Sequence, residues 1–458
     1  MSKQRENWSS RLGFVMAAAG SAIGLGTLWK FPYVTGENGG GAFFTVYVIA
    51  TILIGLPVFI AELIIGRTSE RGAVLSFATI ESHSSWWKIA GWMGVASSFL
   101  IMSYYSVLAG WGMNYAFMSL QQFWVGKSPV EIEQTFDILA QSGDITLFWH
   151  AVFTLITVYV VYHGIRNGIE YWSTIMTSSL LVLLLCLFSY NLTLEGFSPA
   201  FDFVLAFDTA KLKASSILEA LGLAFFTLSL GQGIMITYGS YMNKDEDIPK
   251  TAAIISSMVI LVSVLCALSI FPIVFTANRP PQGGFGLVFK TMPLLFSSLK
   301  GALIISTLFF LLFVFTALTS AIALVEVVVA TLMEIYSIPR KKASIIVGVS
   351  CFIFGLPSAL ANTGLIFPNW QTLYGKNFFE TIDSFVSIWL LPLGGFLIAL
   401  FTGFKIDKER LRQEFSSSSS LGFLFPIWYF FIRYIAPIGV LAIILQQAGV
   451  INVDMIFS

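Results

Sequence analysis

Three short runs of small and hydroxyl-bearing residues interrupt an otherwise apolar chain: Gly20-Ser21-Ala22-Ile23-Gly24-Leu25-Gly26-Thr27, Thr227-Leu228-Ser229-Leu230-Gly231-Gln232-Gly233 and Thr316-Ala317-Leu318-Thr319-Ser320-Ala321. The chemistry open to them is reversible coordination. Glycine inside a helix costs roughly 1 kcal/mol relative to alanine, and an unpaired backbone group in hydrocarbon costs more. A broken helix is therefore tolerated only where it lines a polar cavity. The break then exposes a half-helix N-terminus, which favours a carboxylate, and free carbonyls, which favour a cation. Hydroxyls of the third run could face the first break and complete a hard-cation site of oxygen ligands. The competing reading is packing, since small residues also let membrane helices approach and membrane hydroxyls often bond back to their own helix. No nucleophile–base pair accompanies the runs, so an enzyme is not expected. Cys186, Cys266 and Cys351 lie singly in apolar runs and His83, His150 and His163 are scattered, which offers neither a disulfide framework nor metal-ligand spacing.

The elements that must hold these runs are membrane helices. Of 458 residues, 56% are hydrophobic and only 11% charged, with a mean hydropathy of +0.82; a soluble domain carries about 25% charged residues. The net charge of +0 gives no pointer to nucleic acid, and 43 phenylalanines suit lipid-facing surfaces. Stretches of about 20 apolar residues predict eleven spans, within 12–35, 42–66, 89–124, 145–163, 168–194, 217–242, 251–277, 301–334, 343–361, 384–404 and 421–448. The segments around 125–144, 195–216 and 278–300 read as loops, and no soluble domain stands apart. Loop charge sets orientation. With the N-terminus inside, the internal segments carry Lys3, Arg5, Arg11, Arg67, Arg71, Arg340, Lys341, Lys342 and Lys405 to Arg412, while the external ones hold fewer basic residues, such as Lys127, Lys211, Arg279 and Lys290. A cytoplasmic N-terminus in the cell's inner (plasma) membrane follows. The N-terminal segment has no signal-peptide pattern.

The breaks fall in spans one and six, five spans apart. An odd number of spans per repeat inverts the second copy, the arrangement of inverted-repeat transporters. The expectation is a single transmembrane transporter domain over 1–458: repeat one at about 10–194, repeat two at about 215–404 and an extra helix at about 421–448.

The stretches Arg5-Glu6-Asn7-Trp8, Ala19 to Gly26, Phe31-Pro32, Glu37-Asn38-Gly39-Gly40-Gly41-Ala42-Phe43, Phe225-Phe226-Thr227-Leu228-Ser229-Leu230-Gly231 and Leu318-Thr319-Ser320 together resemble the neurotransmitter:sodium symporter family, bacterial amino-acid transporters of the leucine-transporter type in particular. The resemblance runs over essentially the whole chain. It implies an all-α membrane protein of the leucine-transporter fold, with two five-helix inverted repeats and broken helices one and six. It also implies a substrate site lined by Ser21, Ala22, Gly24 and Gly26 from span one, Ile101 and Tyr105 from span three, Phe226, Thr227, Ser229 and Gln232 from span six, and Ser320 and Leu324 from span eight. Tyr105 would bond the substrate carboxylate, and Tyr105 with Phe226 would form an aromatic lid. Monoamine-transporting relatives carry Asp where Gly24 stands; glycine leaves room for the substrate's own carboxylate, so a neutral zwitterion is expected. Gln232 stands where relatives often have an apolar residue. Carbonyls of Gly20, Ile23 and Thr316 with hydroxyls of Thr319 and Ser320 match the family's second sodium site.

The chain departs from the pattern elsewhere. Asn is usual where Thr27 stands, and Asn or Asp where Val259 stands, so the first sodium site, left with Ala22, Thr27 and Thr227, is expected to be degraded: one Na+ couples, or another ion replaces the first. Tyr47, Thr227 and Ser263 match a chloride pattern but Leu223 replaces a Gln, and chloride is not expected. Lys30 replaces the usual Arg at the outer gate, with Asp383 as its expected partner and Glu380 as the alternative; one point charge makes a looser gate than a guanidinium. The inner gate is expected from Arg5 with Glu334, Trp8 as a plug and Tyr241 nearby. For all these charges, interfacial snorkelling is the plain alternative. The family's Gly-x9-Pro pattern in span five begins at Gly168 but reaches Ser178 in place of proline. Glu62 and Glu326, intramembrane acids, either carry a proton or cap backbone amides. The expected function is sodium-coupled symport of a neutral, apolar amino acid by alternating access. The alternatives are a proton-coupled or single-sodium transporter of the same fold, a non-transporting sensor, and a channel.

Overall fold

The computed structural model describes residues 6–82, 85–208, 212–277, 286–452 and 454; Lys3, Arg5, His83, Lys211 and Arg279 lie outside them. Among the described residues every regular element is a helix. Nine helices among the described residues are long and apolar enough to cross a membrane: Gly41–Ser69, Lys88–Leu120, Gly143–Tyr162, Ile165–Asn191, Ile248–Thr276, Ala302–Tyr336, Arg340–Ala359, Phe378–Phe404 and Gly422–Gln447. Arg11–Ala22 and Gly26–Glu37, bent by 50° at the first glycine run, make span one. Ala214–Thr227 and Ile234–Gly239, separated by the second run, make span six. Among the described residues, ten of the eleven expected spans are thus met by a helix or bent pair of spanning length, and the expected sixth by this shorter broken pair.

Their lengths pair across the two halves. Spans two and seven have 29 residues each, three and eight 33 and 35, four and nine 20 each, five and ten 27 each, and spans one and six are the broken ones. The two sets of five spans are thus matched in helix length. Spans three and eight, about 50 Å long at 1.5 Å per residue, pack on one another and form the scaffold against which span one leans, together with span five.

Local signals explain the helix starts. Ser10 accepts from Gly13 N (3.0 Å) and opens span one; Asp247 accepts from Lys250 N (3.0 Å), with Pro249 in the first turn, and opens span seven. The 125–144 segment, expected as loop, holds the helix Pro129–Gln141, started by a reciprocal Ser128–Glu131 capping box with proline at its first position. Phe197–Leu205 and Leu287–Ser298 likewise place short helices within the other two segments read as loops.

Candidate substrate and cation site

The break in span one is clean. Span one's first half ends at Ala22, Ile23 takes φ −77° and ψ 65°, and Gly24 N reaches only back to Ala22 O at 2.9 Å. The second half opens with Leu25 N donating to the Tyr105 hydroxyl (3.3 Å) from span three. In span six, Ser229, Gly231 and Gly233 take φ of 55°, 74° and 73°. A Cβ on Gly231 would lie 2.5 Å from the Leu391 carbonyl oxygen, so both its handedness and its space require glycine. Gln232 offers its carbonyl to Ser98 Oγ (2.7 Å), which ties this break to span three.

The two breaks meet at Ser21. Its carbonyl accepts Ser229 Oγ at 3.3 Å and Ser320 Oγ at 2.9 Å. A Cβ on Gly24 would lie 2.6 Å from Ser320 Oγ and 3.6 Å from the Tyr105 hydroxyl, and one on Gly26 would lie 2.5 Å from the Phe226 ring. Ser21, Gly24, Gly26, Tyr105, Phe226, Ser229 and Ser320 are thus gathered around one point. Ile101 lies one turn before Tyr105 and Leu324 one turn after Ser320, both buried, as are Ala22, Thr227 and Gln232. None of these side chains is charged.

Next to this point lie Gly20, Thr316, Thr319 and Ser320 of the second candidate set. Thr319 Oγ1 lies 3.0 Å and Ser320 Oγ 3.4 Å from the Thr316 carbonyl, and a Cβ on Gly20 would touch Thr319 at 3.2 Å. Hydroxyls and carbonyls without a formal charge fit an alkali cation better than a transition metal. The other set is less independent. Thr27 Oγ1 points back to the Ala22 carbonyl at 3.4 Å, while Thr227 Oγ1 bonds the Tyr47 hydroxyl at 2.9 Å, which also meets Ser263 Oγ at 3.4 Å. Val259, fully buried, presents an alkyl side chain, and Leu223 is buried as well.

The gates differ in part from expectation. Lys30 Nζ stands over the Phe226 ring, 4.4 Å from its centroid, not against Asp383. Asp383 instead accepts the Tyr104 hydroxyl at 2.9 Å, and Glu380 is engaged in a capping box with Asn377. A compact ammonium on a flexible stem settles on the nearest electron-rich face once the carboxylates are engaged. On the inner side, Trp8 is 3% exposed, donates to the Tyr238 carbonyl at 3.0 Å and meets Tyr241 edge-on. Glu334 accepts Gly72 N on both oxygens (3.0 Å each); its expected partner Arg5 is outside the described residues. Of the two intramembrane acids, Glu62 accepts Gly231 N at 2.8 Å and so caps the break in span six. Glu326 is held by side chains. It binds the Arg340 guanidinium on both oxygens (2.5 and 2.9 Å) and accepts the Tyr241 hydroxyl at 2.6 Å.

One cluster escaped the sequence reading. Glu170, at the start of span five, accepts Ser9 N (2.8 Å), Ser9 Oγ (2.6 Å), Ser10 N (3.1 Å) and Ser10 Oγ (3.1 Å). Reciprocally, Glu6 accepts Ile165 N (2.8 Å) and Arg166 Nε reaches the Asn7 carbonyl (2.9 Å). The carboxylate caps span one from outside and pins the segment that carries Trp8. Its signal was an acid two residues after Gly168, the residue already singled out. Span five runs unbroken from Tyr171 through Ser178 to Asn191, as a chain without proline there allows. Replacing Glu170 by Gln removes the charged acceptor and turns half of it into a donor; at about 1.5–3 kcal/mol per bond to a charged group, reduced because the Ser9 and Ser10 donors are exposed although Glu170 is buried, local opening becomes easier by about 1–3 kcal/mol. Amide hydrogen exchange at residues 9–13 is expected to speed up by about 5- to 100-fold; unchanged exchange would show that Glu170 does not hold the segment.

A membrane protein with ten helices or bent pairs of spanning length among its described residues, and two broken helices meeting at a group of uncharged polar side chains, has the build of a secondary transporter. The chain belongs to the sodium:neurotransmitter symporter family, whose model matches residues 5–142 and 122–455, and it is a sodium-dependent transporter, not an enzyme. It is 40% identical over 454 residues to the uncharacterized sodium-dependent transporter YhdH of Bacillus subtilis, covering 99% of this chain and 100% of that one. It is 29% identical over 321 residues to the sodium-dependent neutral amino acid transporter SLC6A17 of Homo sapiens, 60% of this chain and 42% of that one. Among solved structures it matches that of MhsT in complex with L-phenylalanine, with a TM-score of 0.88, 40% identity and coverage of 97% of this chain and 100% of that one.

Proposed function

We propose that this transporter carries a neutral amino acid with an apolar side chain into the cell, driven by one sodium ion per cycle. The observation that carries the reading is the meeting of spans one, six and eight at the Ser21 carbonyl, with the Tyr105 hydroxyl beside it, in a group of uncharged side chains. The substrate carboxylate would face the N-terminus of Gly26–Glu37 and the Tyr105 hydroxyl, in the space that Gly24 leaves. The apolar side chain would lie against Ile101, Phe226 and Leu324. That MhsT was solved with L-phenylalanine and that SLC6A17 is named for neutral amino acids support this class of substrate.

The sodium ion would sit among Gly20, Ile23, Thr316, Thr319 and Ser320. The set of Ala22, Thr27 and Thr227 lacks a side-chain ligand from Val259 and is proposed not to couple an ion by itself; chloride is not part of the cycle. Lys30 over Phe226 would close the outer side, and Trp8, held by Glu170, the inner side. The chain would act as a single domain, repeats at about 10–194 and 215–404 and the extra helix at about 421–448, in the cell's plasma membrane with its N-terminus in the cytoplasm. A proton-coupled reading keeps one observation in its favour: Glu62 Oε2 has no donor among the described residues.

Equilibrium binding of tritiated L-phenylalanine or L-leucine to the purified protein tests the site. Binding is expected in Na+ and not in K+, and Tyr105→Phe is expected to weaken it by about 10- to 100-fold, the loss of one bond to a charged group. Equal binding in K+, or an unaffected Tyr105→Phe, would contradict the assignment.

A further inference from the structure

Arg433 stands well inside span eleven and has no carboxylate in ion-pair range among the described residues. Its guanidinium lies 4.7 Å from the Phe404 ring centroid, 5.6 Å from that of Tyr429 and 5.6 Å from that of Tyr434, and Nη1 donates to the Tyr429 hydroxyl at 2.5 Å. Nε is buried with no acceptor among the described residues. The surroundings are open to lipid, with Phe404 51% and Tyr434 45% exposed. A guanidinium on a lipid-facing surface needs polar partners for its donors, and aromatic faces supply only part of that.

Depth and neighbours identify what completes the site. A Cβ on Gly403 would lie 2.8 Å from Arg433 Cα, so Arg433 is level with the last turn of span ten, at the membrane boundary. Lys408, at the start of the helix Lys408–Ser416 just beyond that boundary, places Nζ over the same Tyr429 ring at 5.4 Å. Of the nearby acids, Glu414 is bound to Arg67 and Asp407 caps its own helix. Two cations therefore flank one ring at headgroup depth, on the face that meets lipid. Simple snorkelling would explain Arg433 alone, but not a buried Nε left without an acceptor beside a second cation held on the same ring.

We propose that Arg433 and Lys408 bind the phosphate of an anionic phospholipid, such as phosphatidylglycerol, in the leaflet facing the 405–412 loop. The guanidinium fork matches a phosphate bidentately, and the ammonium adds a point charge. The site is separate from the transport pathway and does not depend on the proposed substrate.

The test is native mass spectrometry of the full-length protein titrated with phosphatidylglycerol or phosphatidylcholine of matched chains. At about fivefold per basic residue near the surface, the protein is expected to retain phosphatidylglycerol about 25-fold over phosphatidylcholine. Arg433→Gln and Lys408→Gln should each lower that preference about fivefold, and Arg433→Lys should keep part of it. Inorganic phosphate alone should not protect the protein against heating. An unchanged preference in Arg433→Gln, or protection by free phosphate equal to that by the lipid, would overturn the proposal. Should Arg433→Gln not fold, the exposed Lys408→Gln decides, since an unchanged preference there overturns the shared phosphate site.

Discussion

Thr319→Ala/Ser320→Ala protein in proteoliposomes is expected to need at least about 100-fold more Na+ for half-maximal amino-acid uptake. Each change removes a side-chain oxygen from a set that carries no formal charge, so no neighbouring carboxylate can make up the loss. At about 1.5–3 kcal/mol for each contact to a charged partner, the two changes together reach two orders of magnitude or more. Folding should be far less affected. Among the described residues Thr319 Oγ1 bonds only carbonyls of its own helix, Phe315 at 3.1 Å and Thr316 at 3.0 Å, and such back-bonding contributes little to stability. Ser320 also ties to Ser21, so a modest fall in Tm is expected from that residue. Thr319→Ser, which keeps the oxygen, should behave nearly as wild type. An unshifted Na+ dependence in the double variant would remove these residues from the cation site.

Gly24→Asp is expected to abolish amino-acid binding, by more than about 100-fold. The new Cβ would start 2.6 Å from Ser320 Oγ and 3.6 Å from the Tyr105 hydroxyl, and its carboxylate would occupy the space assigned to the substrate's own. Two carboxylates there would repel at short range in a water-poor site. Gly24→Ala adds only the Cβ, against the tip of a small serine that can rotate, so a loss of about tenfold or less is expected, within the range of mild overpacking. A decarboxylated amine analogue should compete for Gly24→Asp and not for wild type. If Gly24→Asp binds amino acids normally, the carboxylate lies elsewhere.

How much of this was legible in the chain depended on the range of the interaction involved. Spans and breaks are local properties. Hydropathy over some 20 residues marks a span, and closely spaced glycines mark a break, which is why Gly20–Thr27 and Thr227–Gly233 were readable at sight. The capping box at Ser128 and Glu131 was equally local and was passed over inside a segment read as loop. Partners distant in sequence were not encoded in any pattern. Glu170 meets Ser9 and Ser10 across 161 and 160 positions, and a single glutamate at a helix start gives no hint of that. Asp383 stood as the expected partner of Lys30, but Tyr104 reached it first, and the lysine stem is long and flexible enough to settle on Phe226. Glu326 and Glu62 looked alike as intramembrane acids, and only the fold separates an ion pair with Arg340 from a cap on Gly231.

The central claim, sodium-driven transport through this site, is tested most directly by uptake of tritiated L-phenylalanine into proteoliposomes under an inward Na+ gradient, under an inward proton gradient without Na+, and under neither. Saturable accumulation with Na+ alone, lost in Thr319→Ala/Ser320→Ala, is the result expected. Accumulation driven by protons without Na+ would contradict it and move the coupling to Glu62.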